Sequence, residues 1–127
     1  RYFSALESRD GASLIHCFAG KDRTGVGASL LLHVLGVHFD DIVTEFVRTN
    51  DAPTRHILES QSLPRMKEHY GEIDPEAIRN LMGVHPEYIA TYWNVAGEEY
   101  GSIDNFLAQR LGVDEARKAR LRERLLA

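Results

Sequence analysis

The stretch that most constrains the fold of this chain runs from residue 12 to residue 35. Residues 12–17 are a short, largely apolar run of strand length that does not alternate, as expected for a strand buried on both faces. A loop follows, and residues 24–35 are then apolar nearly all round, with Gly36 as the stop. A helix without a polar face belongs in the middle of a domain. A strand buried on both faces needs hydrogen-bond partners along its edges, and no later segment offers them. The expected fold class is therefore α/β, with one core strand, a loop and then mostly α-helices. Residues 1–127 are expected to be the C-terminal portion of a single domain, its remaining strands lying ahead of Arg1 and pairing with this chain.

The rest of the chain reads as helical. Residues 1–8 resemble the last turns of a helix, with Tyr2, Phe3 and Leu6 on one side and Asp10 and Gly11 as the stop. Asp40 and Asp41 are positioned to cap a helix over residues 42–48, with Ile42, Val43, Phe46 and Val47 as its buried stripe. Pro53 and Pro64 divide the next region into short segments over 54–60 and 65–70. Asp74 with Pro75, and Pro86, each start a helix. Ser102 caps a helix over 103–111 that Gly112 ends, and Asp114 caps the last one. That last helix carries Arg117, Lys118, Arg120, Arg122 and Arg124, read first as a solvated basic face and second as a contact for anionic lipid.

The loop carries the chemistry. In HCFAGKDRTG, residues 16–25, five residues separate the only cysteine, Cys17, from Arg23. A loop of that length can curl so that successive backbone N–H groups point at one centre. The result is a nest for a tetrahedral oxyanion, with the sulfur beneath and the guanidinium above. The helix that starts at the loop's end adds its positive terminus. Such surroundings lower a thiol pKa from about 8.5 to somewhere around 3.5–7.5. The pattern points to a phosphate-transferring cysteine enzyme; the plain alternative for a lone cysteine is a structural one.

Composition narrows the partners. The chain is 43% apolar and 27% charged, as in a soluble globular protein, and its net charge of −4 argues against nucleic acid. A single cysteine excludes an intramolecular disulfide, and a nucleophilic thiolate needs reducing surroundings. His33 and His38 straddle a helix stop and no metal-ligand spacing occurs, so neither a metal nor another cofactor is expected.

HCFAGKDRTG resembles the active-site signature of the protein-tyrosine-phosphatase superfamily, Cys-x5-Arg-Ser/Thr. It is most similar to the bacterial and fungal tyrosine phosphatases with a GKDRTG loop, the secreted mycobacterial ones among them. Weaker similarity continues through Leu35-Gly36-Val37, Thr49-Asn50, Met82-Gly83-Val84 and Tyr100-Gly101-Ser102 to Leu111-Gly112-Val113. The resemblance implies Cys17 as nucleophile, forming a phosphocysteine. It implies Arg23 as a bidentate clamp on the phosphoryl oxygens, a geometry that lysine cannot copy. Phe18, Ala19, Gly20, Lys21, Asp22 and Arg23 would form the phosphate-binding loop. The Thr24 hydroxyl would donate to the sulfur, or serve only as a helix cap, and His16 would order the loop, or simply pack. Gly20 and Gly25 are suited to positive φ or close approach. Asp22 is a candidate general acid, or a structural partner of Lys21; Lys21 would stand at the rim, binding a second phosphate or solvated.

The expected function is a metal-independent phosphatase acting on phosphotyrosine, with phosphoserine/threonine and phosphoinositides as further substrate classes. Its expected partners are a phosphorylated protein or phosphoinositide, not nucleic acid; membrane contact stays open, as does the compartment, cytoplasmic or secreted bacterial. The rival reading is a non-catalytic phosphate-recognition module of the same fold. Sulfur transfer or arsenate reduction on a similar loop is a third, and arsenate reduction would usually need further redox cysteines.

Overall fold

The computed structural model describes residues 1–126, and all of their side chains except those of Thr54, His56 and Leu58. Among the described residues eight α-helices form: α1 (Tyr2–Ser8), α2 (Asp22–Val34), α3 (Phe39–Val47), α4 (Thr54–Tyr70), α5 (Pro75–Met82), α6 (Pro86–Tyr100), α7 (Ile103–Leu111) and α8 (Glu115–Leu125), with a 3-10 turn at Arg48–Asp51. Their ends follow local chemistry. Asp74, Ser102 and Asp114 each accept a bond from a backbone N–H in the first turn of the helix that follows. His38, rather than Asp40 or Asp41, caps α3; its ring accepts from the Asp40 N–H, which places both aspartates inside the first turn.

Two apolar clusters hold the helices together. Phe3, Leu6, Leu30, Val34, Leu107, Val113 and Leu121 bring α1, α2, α7 and α8 into one core. Phe46, Val84 and Ile89 join α3 to the start of α6 in a second. Val26 and Trp93 pack against both, so α2 and α6 tie the two together. Fully buried side chains of this size contribute roughly 1.5–3 kcal/mol each relative to exposure.

The expected α/β class is not met: among the described residues there is no strand. Residues 12–17 run without regular structure, and Leu14 is 90% exposed. A strand exists only through its ladder bonds, and among the described residues no other segment forms a strand to supply them. The consequence reaches α2. Its all-round apolar sequence suggests burial on every side, yet Ser29, Leu30 and Val34 alone are fully buried. Ala28, Leu31 and Leu32 instead line an open groove of about 1070 Å³ together with residues 12–16.

Two further expectations change. Pro64 does not split the region after Pro53; it lies inside the single helix α4. An internal proline costs about 3 kcal/mol and frees one carbonyl, here that of Ser60, an exposed residue where water can take up the bond. The basic side of α8 is also not simply solvated. Arg117 bonds Glu7 at 2.8 Å and Ser4 at 2.8 Å, Arg122 bonds the Val34 carbonyl at 2.6 Å, and Arg124 reaches the Arg9 carbonyl and Asp10. Lys118, only 3% exposed, bonds Asp104 at 2.5 Å and Glu115 at 2.7 Å. These cations fasten α8 to α1, α2 and α7.

The Lys118 bond, helped by His33, holds the Asp104 carboxyl below the usual range. Burial works against the Lys118 charge, but the bonds from Asp104 and Glu115 outweigh it and raise its pKa. The carboxylate contribution is complete above the unfolded aspartate pKa of about 3.9 and fades as pH falls through the lower folded value. The ammonium contribution is complete below about 10.4 and fades as pH rises through the higher folded value. Asp104→Asn should cost about 1 kcal/mol at neutral pH, the low end for such a pair because Asp104 is half exposed, and should flatten the acid limb of a stability–pH curve. Denaturant melts of both proteins from pH 3 to pH 7 check this, and parallel curves would contradict it.

Candidate active site

The loop between residues 17 and 24 wraps around the Cys17 sulfur. The Thr24 hydroxyl faces it, and the backbone N–H groups of Thr24, Gly20 and Ala19 also point at it. Thr24 Oγ1 is buried and, among the described residues, makes no hydrogen bond of ordinary geometry; it acts on the thiol by facing it. The hydroxyl first, and the N–H groups after it, outweigh desolvation and lower the thiol pKa to about 6. A thiol so placed is largely thiolate at neutral pH, the form that attacks phosphorus.

Local sequence explains the curl. Gly20 has φ +71°, in the left-handed region open to glycine, and turns the chain back toward α2. The Gly25 N–H bonds the Lys21 carbonyl at 2.6 Å and closes the first turn of α2, which begins two residues earlier than the sequence pattern suggests. At Gly25 a Cβ would lie 2.5 Å from the Phe46 ring, so glycine lets α3 pack close behind the loop. The positive end of α2 therefore stands at the loop.

The other expected residues divide into three groups. Arg23 is exposed and, among the described residues, forms no hydrogen bond or ion pair; with Asp22, Val26, Phe46, Tyr88 and Tyr92 it lines a groove of about 410 Å³. Lys21 does not stand free at the rim. Its side chain is 15% exposed, and its ammonium donates to Asp22 Oδ1 at 2.8 Å and to the Gly83 carbonyl at 3.2 Å. Asp22 is thus paired with Lys21 at the first residue of α2. The Phe18 side chain is 97% exposed, and His16 Nδ1 is 3.3 Å from the Cys17 carbonyl, to which it donates when protonated there.

Behind the loop lies a set of residues that its motif does not announce. Asn50, Arg55 and Gly83 come from distant segments, and Ala19, Gly20, Lys21, Thr49, Ala52, Arg55 and Met82 enclose a second cavity of about 240 Å³. Tyr88 and Tyr92 read in sequence only as part of a helix stripe. Nothing in their spacing says that they wall the groove holding Arg23.

Residues 1–127 match the tyrosine phosphatase family along their whole length, and the chain belongs to that family. Among curated proteins it is 33% identical over 122 residues to the triple specificity protein phosphatase PtpB of Mycobacterium tuberculosis, covering 89% of this chain and 43% of that protein. It is 36% identical over 124 residues to a tyrosine-protein phosphatase of Nostoc commune, covering 92% of this chain and 40% of that one. The chain thus spans about two fifths of the length of these curated relatives.

Because the Thr24 hydroxyl is the leading cause of the low thiol pKa, Thr24→Val should move the midpoint of Cys17 alkylation by iodoacetamide from about 6 up toward the ordinary thiol value. Rates measured between pH 5 and pH 9 decide the matter; an unchanged midpoint would contradict the assignment.

Proposed function

We propose that this chain carries the catalytic loop of a metal-independent, cysteine-dependent phosphatase that hydrolyses phosphotyrosine. The observation that carries the reading is the convergence on the Cys17 sulfur of the Thr24 hydroxyl and three backbone N–H groups, in a chain segment where the Arg23 guanidinium forms no bond to any described residue. The Cys17 thiolate attacks phosphorus; the S–P bond forms as the bond to the leaving oxygen breaks, and that oxygen takes up a proton from solvent water. Water then attacks the phosphocysteine, the P–S bond breaks, and inorganic phosphate and the thiolate are released. Thr24 stabilises the departing sulfur in this second step. Arg23 holds two phosphoryl oxygens and gains strength as their charge grows in the transition state. The loop of residues 18–23 supplies the anion cradle, and His16 braces it through the Cys17 carbonyl.

Asp22 takes the structural one of its two roles. Its carboxylate accepts from the Lys21 ammonium at 2.8 Å, whereas a general acid must donate a proton to the leaving oxygen. The aromatic walls Phe46, Tyr88 and Tyr92 favour an aryl phosphate in the groove that holds Arg23. The name of the mycobacterial relative, a triple specificity phosphatase, keeps phosphoserine/threonine and phosphoinositides within the range of substrates to assay.

Residues 1–127 form, in this reading, the C-terminal portion of one phosphatase-like domain. The support is the apolar groove of about 1070 Å³ along residues 12–16, the exposure of Leu14, and the greater length of the relatives. A preceding portion would pair its strands with residues 12–17 and cover Leu31 and Leu32.

Hydrolysis of an aryl phosphate in the presence of chelator is the assay. Cys17→Ser should abolish turnover while keeping phosphate binding, and a fully active variant would sink the mechanism. Arg23→Lys should lose on the order of a hundredfold or more in kcat despite keeping the charge, because the fork geometry is gone. A wild-type protein that binds phosphate without turning over any ester would favour the non-catalytic recognition module instead.

A further inference from the structure

One carboxylate stands where a phosphate-binding loop would best lack one. Asp22 lies within the loop and lines the same groove as Arg23, so its charge opposes that of any phosphate held there. Lys21 compensates it at 2.8 Å, but a lysine on a flexible stem holds one geometry only when something fixes its far end. Here the Gly83 carbonyl does so, accepting from the same ammonium at 3.2 Å.

That carbonyl is fixed in turn. The Asn50 side chain grips the main chain of the next residue at both polar atoms: Oδ1 accepts from the Val84 N–H at 2.9 Å, and Nδ2 donates to the Val84 carbonyl at 2.8 Å. Val84 is 2% exposed, so the gripped backbone has little water to turn to. Arg55 supports Asn50 by donating to its backbone carbonyl at 3.3 Å, and is itself held by Glu59 at 2.9 Å. A Cβ at Gly83 would lie 3.0 Å from Asn50 Oδ1 and 3.0 Å from the Arg79 carbonyl, so the grip needs glycine there.

We propose that Asn50 is a positioning residue for the phosphate loop: by clamping Val84 it presents the Gly83 carbonyl to Lys21 and so keeps Asp22 neutralised against the phosphate. Asn50 touches neither the sulfur nor the phosphate; it acts through Gly83 and Lys21. The inference rests on the phosphate-binding loop described above.

The test reads the concentration of inorganic phosphate that half-protects Cys17 from alkylation by iodoacetamide, in the full-length protein, with aryl phosphate turnover measured alongside. Asn50→Ala should raise that concentration on the order of tenfold, the scale of one lost charge-assisted bond, and Lys21→Met should do the same. In a double-mutant cycle Asn50→Ala should add less than about twofold on top of Lys21→Met, since both break one chain of contacts. Asp22→Asn should restore the affinity of Asn50→Ala, because it removes the charge left uncovered. A merely structural Asn50 would cost the same in every background, and equal penalties would overturn the proposal. If Asn50→Ala does not fold, Gly83→Ala displaces the same carbonyl and enters the same cycle; loss of the fold in both would also overturn it. Absent turnover with phosphate protection intact would sink the phosphatase reading alone.

Discussion

The fold depends on where α2 is held. Val26 touches both apolar clusters, Leu30 and Val34 sit deep in the larger one, and the Val34 carbonyl is tied to Arg122 of α8. With its C-terminal half gripped in this way, the helix has one available direction. Its first turn aims the Thr24 hydroxyl and backbone N–H at the Cys17 sulfur. The packing energy of the core is thereby spent on orienting dipoles that could not hold a thiolate if they were free to reorient. Phe46 against Gly25 completes the arrangement, fixing the first turn of α2 from the side.

The site was legible in the sequence to the extent that it is local. Cys17 and Gly20 fall in one loop, and Arg23 and Thr24 in the first turn of the helix that follows; that spacing allows a curl that turns N–H groups inward. Helix ends were legible for the same reason: Asp74, Ser102 and Asp114 cap through bonds two or three residues away. What depends on distant partners was not. The strand expected at residues 12–17 needs neighbours that a local pattern cannot supply, and none of the other described residues provides them. Lys21 reads as a rim charge until Gly83, 62 residues later, is seen to accept from it. The arginines of α8 read as a solvated face, because their partners Glu7, Val34 and Asp10 are about 90 to 110 positions away. Pro64 misled in a different way: a proline penalty is a cost of about 3 kcal/mol and not a prohibition.

The loop separates two kinds of charge. Around the sulfur, neutral donors from Thr24, Gly20 and Ala19 stabilise an anion without adding a counterion that would have to leave when phosphate arrives. On the outer side, full charges are arranged as one compensated pair, Lys21 with Asp22, and one uncompensated group, Arg23. Only the last is therefore free to answer the charge of a substrate. The open groove beside α2 is lined by apolar side chains of α1, α2 and residues 12–15, with Arg9, Asp10, His16, Asp41 and Glu45 among them.

The central claim is that Cys17 becomes covalently phosphorylated. The most direct measurement is rapid acid quench of the protein during turnover of an aryl phosphate, followed by peptide mass spectrometry of the segment containing residue 17. The account predicts a phosphate adduct on the Cys17 sulfur that accumulates within the first turnover and decays when substrate is exhausted. Sustained turnover with Cys17 unmodified at every quench time, while a phosphate adduct appears on another side chain, would contradict it.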